Sequence, residues 1–225
     1  MATYILTSMY SDGFDQRTAE TLHSVIRKRD RIACIASDFH APEATDRFWN
    51  MFYAMFQRIG VEFSEAYVVD GRMTPAEARD TVRSADVVWL SGGDTPAEYK
   101  NLQEYGLVEI LRRHEGVLIG MSAGTLNLAR TVLCPVCNGY ERQLIYEGLG
   151  CVDFTVFSHY DLGEVPREIK ELSDIAEIYM MTDGSYILCA EGVREFYGHI
   201  VRVRHGEVQV VDPGARGDRS PGSVL

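Results

Sequence analysis

The sequence predicts a three-layer, doubly wound α/β fold with a mostly parallel sheet and a β-rich C-terminal part. Three observations predict it. Short apolar runs alternate with amphipathic helical runs as far as residue 128, and that alternation builds a parallel sheet with helices on both faces. The run DVVWL (86–90) is continuously apolar after its first residue, as a strand covered on both faces requires. Beyond about Arg142 the helical runs give way to short β-like ones.

The elements follow in order. TYILT (3–7) reads as a strand, QRTAETLHSVIRK (16–28) as a helix and RIACIAS (31–37) as the next strand. From Thr45 to Ile59, Phe48, Phe52, Met55, Phe56 and Ile59 recur at helical spacing. VEFSEAYVV (61–69) is a strand candidate, and TPAEARDTVRSA (74–85) opens with Thr before Pro, a helix N-cap and first-turn signal. After DVVWL come SGGDTPAEYKNL, a helical stretch near 106–114, the strand EGVLIG and a helix beginning after Ser122. Later β-like runs fall around 143–146, 151–158, 185–190 and 199–210, with one helical segment near 165–176. One domain is expected over residues 1–210. The Pro/Gly/Ser-rich tail, 211–225, is expected to be disordered. Its Arg-Gly-Asp triplet (216–218) looks like an adhesion signal, and chance explains it better.

The chain has 225 residues, 46% of them hydrophobic, enough to bury a core for one large domain. The formal charge of −11 argues against a nucleic-acid or anionic-membrane surface, because both need a basic footprint. No basic n-region with a long apolar h-region opens the chain, and no apolar run reaches the ~18 residues of a membrane span. Five cysteines are an odd count in a chain that needs no staples, so a reducing, cytoplasmic compartment is expected.

Chemistry concentrates around Gly120-Met-Ser122-Ala-Gly124, which joins a strand to a helix and matches a nucleophile elbow. The glycines let the turn close tightly, and the helix N-terminus favours a developing oxyanion. The plainer reading of Ser122 is a helix N-cap. SGGDT (91–95) follows another apolar strand, so in a doubly wound sheet both loops can border one crevice. Asp94 or Thr95 would cap the helix behind it. A phosphate cradle fits poorly, because no GK[ST] follows and Asp94 would repel phosphate.

A serine nucleophile needs a base. Of six histidines, His23 lies in a helix and His114 at a helix end, and His199 and His205 lie in β runs. His159 follows an apolar run, where a strand ends, and is the first candidate. His40, after the second strand, is the alternative. The orienting carboxylate could be Asp161, Asp183 or Glu191, and Asp183 also suits an ordinary Asp-Gly turn. Cys134-x-x-Cys137 lacks the second pair of a zinc site, so neither metal nor cofactor is expected.

Together, GMSAG, SGGDT, SHYD and TDGSYIL resemble the dipeptidase E and cyanophycinase family of serine peptidases, from the first strand to about residue 200. The resemblance implies a flavodoxin-like, class I glutamine amidotransferase-like fold with serine at the elbow. It also implies Ser122 as nucleophile, His159 as base, and Gly93 and Ala123 as oxyanion-hole donors. The third member in the family is a glutamate in a Pro-Glu-Gly turn. Here Thr182-Asp183-Gly184 stands in its place. Where aspartyl dipeptidases carry an Asn-Asp-Met-Pro-like substrate segment, this chain has TVLCPVCNGYERQ. The expected function is hydrolysis of a small peptide or amide, with Arg130, Arg142 and Arg167 as candidate cations for an acidic N-terminal residue. A catalytically silent member that binds a small ligand or a protein partner is the alternative. An amidotransferase-like amidase is disfavoured, because that chemistry uses a thiolate.

Overall fold

The computed structural model describes residues 2–218. The first half alternates as expected: β1 (Thr3–Thr7), α1 (Gln16–Val25), β2 (Arg31–Ile35), α2 (Pro42–Arg58), β3 (Glu65–Val69), α3 (Pro75–Ser84), β4 (Val87–Leu90), α4 (Thr95–Glu104), α5 (Val108–Arg112), β5 (Val117–Met121) and α6 (Ala123–Leu128). A hairpin follows, β6 (Thr131–Cys134) and β7 (Leu144–Glu147), with a 3-10 turn at Val136–Asn138 between its strands. Then come β8 (Thr155–Phe157), α7 (Arg167–Leu172), β9 (Ile178–Met181), β10 (Tyr186–Ala190), β11 (Val193–Tyr197), β12 (Ile200–Arg204), β13 (Glu207–Val211) and β14 (Arg216–Asp218).

Helix starts obey local chemistry. Thr74 and Glu77 form a reciprocal capping box on α3, with Pro75 inside the first turn. Pro42 opens α2 three residues before the periodicity begins, because its fixed φ suits a first helical turn. The strand expected over 61–69 starts only at Glu65. The Val61 N–H still bonds back to the Phe56 carbonyl at the end of α2, so the chain has not yet straightened.

The main sheet has the order β14-β11-β10-β1-β5-β4-β2-β3. Strands β1, β5, β4, β2 and β3 run parallel, and β10, β11 and β14 extend the sheet antiparallel from β1. Alternate strand residues face opposite layers. Ile5, Ile32, Trp89 and Ile119 meet Leu22 of α1 and Phe52 and Phe56 of α2. Leu6, Ile35, Leu90 and Leu118 meet α3 to α6 on the other face. Each large side chain buried in these layers contributes on the order of 1.5–3 kcal/mol.

A second sheet, β13-β12-β9-β8, packs its Met180 and Val201 with Ile169 and Leu172 of α7. Arg194 of β11 joins the sheets. It is buried, lies over the Phe154 ring, and pairs with Asp153 ahead of β8 and Glu177 ahead of β9. The tail expected to be disordered is paired in its described part: Arg216–Asp218, the Arg-Gly-Asp triplet, bonds to β11 through its backbone. An open sheet edge recruits such a segment whatever its side chains. Residues 219–225 lie outside the described residues.

Candidate active site

Ser122 stands between β5 and α6 at φ 48° and ψ −105°. A serine held there is strained by about 1–3 kcal/mol. The flanking glycines explain how the turn closes. A Cβ on Gly120 would lie 2.7 Å from the Thr125 main chain, and one on Gly124 would lie 2.3 Å from the Leu90 carbonyl oxygen. The Ser122 hydroxyl makes no capping bond to α6, so it does not act as a side-chain N-cap. It lies instead 2.9 Å from His159 Nε2.

His159 follows β8 at φ 62°, a second residue in the left-handed region. Its Nδ1 is 2.9 Å from Asp183 Oδ1, in the turn between β9 and β10. With Nδ1–H donating to the carboxylate, Nε2 is left to accept from the serine hydroxyl. The His159 and Asp183 side chains are 44% and 49% exposed, so the site is open to water.

The other candidates are elsewhere. His40 donates its backbone N–H to Asp38, and its ring makes no bond to Ser122. Asp161 accepts the Gly163 N–H in its own loop, and Glu191 occupies the β10–β11 turn. His23 contacts the Ile59 carbonyl, His114 is buried, His199 donates its N–H to Ser185, and His205 pairs with Asp174.

The loop after β4 lies against the elbow. The Gly124 N–H donates to the Ser91 carbonyl at 3.1 Å. Gly93 has φ 149°, and a Cβ there would sit 2.1 Å from Ser37 Oγ, so glycine is required both for conformation and for space. Ser37 donates to the Gly92 carbonyl, and Asn101 of α4 donates to the Ser37 carbonyl. The Gly93 N–H and the first-turn N–H of Ala123 are not taken up by any turn or cap bond among the described residues. Asp94, not Thr95, caps α4. Thr95 Oγ1 meets the Tyr140 hydroxyl at 2.7 Å, which brings the 135–142 segment to the edge of this loop.

Glu168 of α7 accepts the Val136 and Cys137 N–H groups and so fixes the 3-10 turn. No disulfide joins any two cysteines among the described residues. Burial pushes the Cys134 thiol up to about 11. Partial desolvation, together with the Glu168 carboxylate, does the same to Cys137. Both are thiols, not thiolates, at neutral pH, a poor state for redox or ligand chemistry. Among the described residues, no three His, Cys, Asp or Glu side chains are grouped to hold a metal ion, and no helix is long and apolar enough to cross a membrane.

The three arginines are not gathered at the serine. Arg167 pairs with Glu171, and Arg130 lies beyond the far end of α6. Arg142 is exposed and forms no ion pair among the described residues, two positions after Tyr140. Sequence reasoning missed Ser8, Ser37, Asn101 and Glu168. Each is a common polar residue whose partner is distant in the chain, so no local pattern marks it.

The family model of Peptidase family S51 matches residues 10–194, which include Ser122, His159 and Asp183. The chain belongs to Peptidase family S51. By family it is a serine peptidase, a hydrolase acting on peptide substrates. Its fold is similar to that of a peptidase from an acI-B1 Actinobacterium, with TM-score 0.72, 16% identity and 97% of each chain covered. It is also similar to a protein assigned as a Peptidase E from Listeria monocytogenes EGD-e, with TM-score 0.63, 16% identity, and coverage of 91% of this chain and 98% of that one. No curated protein matches in sequence. These likenesses bear out a mixed α/β fold with a large, mostly parallel central sheet, and the S51 match bears out the resemblance to the dipeptidase E family.

Proposed function

We propose that this S51 member hydrolyses small peptides or amides as an exopeptidase or dipeptidase, using Ser122, His159 and Asp183, on a fold of the class I glutamine amidotransferase-like kind. One observation carries the reading. The Ser122 hydroxyl, the two ring nitrogens of His159 and one Asp183 oxygen form an unbroken hydrogen-bonded chain, and the serine is not used as a cap.

The chemistry follows from that order. Ser122 Oγ attacks the scissile carbonyl as its proton passes to His159 Nε2. Asp183 holds the ring in the required tautomer and stabilises the imidazolium. The Gly93 and Ala123 N–H groups meet the oxyanion, each worth about 3 kcal/mol of barrier. His159 then protonates the leaving amine. A water enters through the open side and attacks the acyl carbon as its proton passes to the same nitrogen. That nitrogen then returns the proton to Ser122 Oγ as the acyl–serine bond breaks and the acid product leaves. An acidic N-terminal residue would find its cation in Arg142, on the segment that Tyr140 ties to Thr95.

A dipeptide-library hydrolysis screen with Ser122→Ala as control tests the proposal. Wild type is expected to cleave a subset of dipeptides, and the variant to lose on the order of 10⁴-fold or more while staying folded. Wild-type hydrolysis by Ser122→Ala would sink the assignment.

A further inference from the structure

We propose that Ser8 is a positioning residue that sets the base and its carboxylate against each other. The proposal rests on the Ser122–His159–Asp183 reading. Ser8 follows β1 and is fully buried. The His159 N–H donates to Ser8 Oγ at 2.9 Å, and the Ser8 hydroxyl donates to Asp183 Oδ1 at 2.7 Å. A hydroxyl has a single proton. Because the His159 N–H occupies a lone pair, that proton is directed to the carboxylate. Asp183 Oδ1 therefore receives two donors, Ser8 O–H and His159 Nδ1–H.

The place of Ser8 in the fold explains why it can do this. Strand β1 lies between β5, which ends at the elbow, and β10, which begins just after the Asp183 turn. The Thr7 carbonyl accepts the Ser122 N–H, and the Met9 carbonyl accepts the Gly184 N–H. Three consecutive residues at the end of one central strand thus hold the nucleophile, the base and the carboxylate turn. Two features make the Ser8 link consequential. His159 sits at a positive φ that its backbone bond to Ser8 helps to hold. Asp183 is half exposed, so without the Ser8 donor its carboxylate is free to rotate and present either oxygen.

The test uses the full chain as wild type, Ser8→Ala, Asp183→Asn and the double variant. The readout is the rate of Ser122 labelling by a fluorophosphonate across pH, with circular dichroism to verify folding. Losing a hydrogen bond to a charged group slows labelling by about 10–100-fold, so Ser8→Ala is expected to fall by that factor and to shift the pH midpoint. In the Asp183→Asn background the same change should alter the rate less than about twofold, because the group that Ser8 acts on is already lost. A wild-type rate and midpoint in Ser8→Ala, or an equal factor in both backgrounds, overturns the proposal. If Ser8→Ala does not fold, Ser8→Cys, close in size and a weaker donor, is read in the same way. Absence of label on folded wild type would instead sink the serine-hydrolase reading. The ring-nitrogen NMR titration of His159 then decides for Ser8: a midpoint moved by Ser8→Ala supports it, and an unmoved one overturns it.

Discussion

Asp183 reaches His159 from a turn, with half of its side chain in water. An aspartate is one methylene shorter than glutamate, so the turn itself must come close to the ring, and the Gly184 N–H bond to Met9 draws it in at 2.7 Å. Asp183→Asn is expected to lower kcat by about 10²- to 10⁴-fold, because an amide can hold the wrong tautomer and does not stabilise the imidazolium. KM should hardly move, since Asp183 bonds to His159 Nδ1, on the side of the ring away from Ser122. Steady-state kinetics on a cleaved dipeptide check this, and an unchanged kcat would rule out Asp183 as the orienting group. Ser122 and His159 were legible because each ends an apolar run. Asp183 was one of three open carboxylates, because an Asp-Gly turn looks alike whether or not a histidine faces it.

The helix α6 is short, yet it sets the distance between the Ser122 turn and the loop after β4. Its second residue, Gly124, lies against Leu90 at the end of β4 and donates to Ser91. Gly124→Ala would drive a methyl within 2.3 Å of the Leu90 oxygen, a backbone atom that cannot swing aside. The helix must then retreat from β4 and carry Ser122 away from Gly93. The expected result is destabilisation of about 1–3 kcal/mol by urea unfolding, with slower Ser122 labelling. A variant with native stability and native labelling would mean that the close approach is not needed. The parallel strands and helices were readable from periodicity and caps. Strands β6, β9 and β11 were not marked: β6 and β11 are hairpin partners of β7 and β10, and β9 lies between β8 and β12, so cross-strand pairing defines them more than any periodicity of their own.

At the scale of the molecule, a buried polar network ties the two site-bearing helices to the β6–β7 hairpin. Glu98 of α4 is fully buried. Its Oε2 accepts from Asn127 of α6, whose Oδ1 accepts from Tyr146 of β7, while Glu98 Oε1 has no hydrogen-bond partner among the described residues. Burial pushes the Glu98 carboxyl well above the usual carboxylate range. Above about pH 4.3 the unfolded chain releases this proton while the folded chain keeps it. Stability therefore falls as pH rises toward the raised folded value, by up to about 1.4 kcal/mol per pH unit from this group. Glu98→Gln cannot titrate and should flatten the decline, so its melting temperature should gain on wild type as pH is raised. Parallel Tm-versus-pH curves for the two proteins would contradict a buried, protonated Glu98.

The sequence by itself determined the alternation of strands and helices, the tight glycine elbow at Ser122 and the family, because these depend on local backbone chemistry and on patterns contiguous in the chain. Only the tertiary structure decided which histidine and which carboxylate stand in hydrogen-bonded line with Ser122, that Asp94 caps α4, and that Ser8 bonds to both His159 and Asp183. Those choices depend on β1 lying between β5 and β10, a placement set by long-range strand pairing that brings residues 8, 122, 159 and 183 to one end of the sheet.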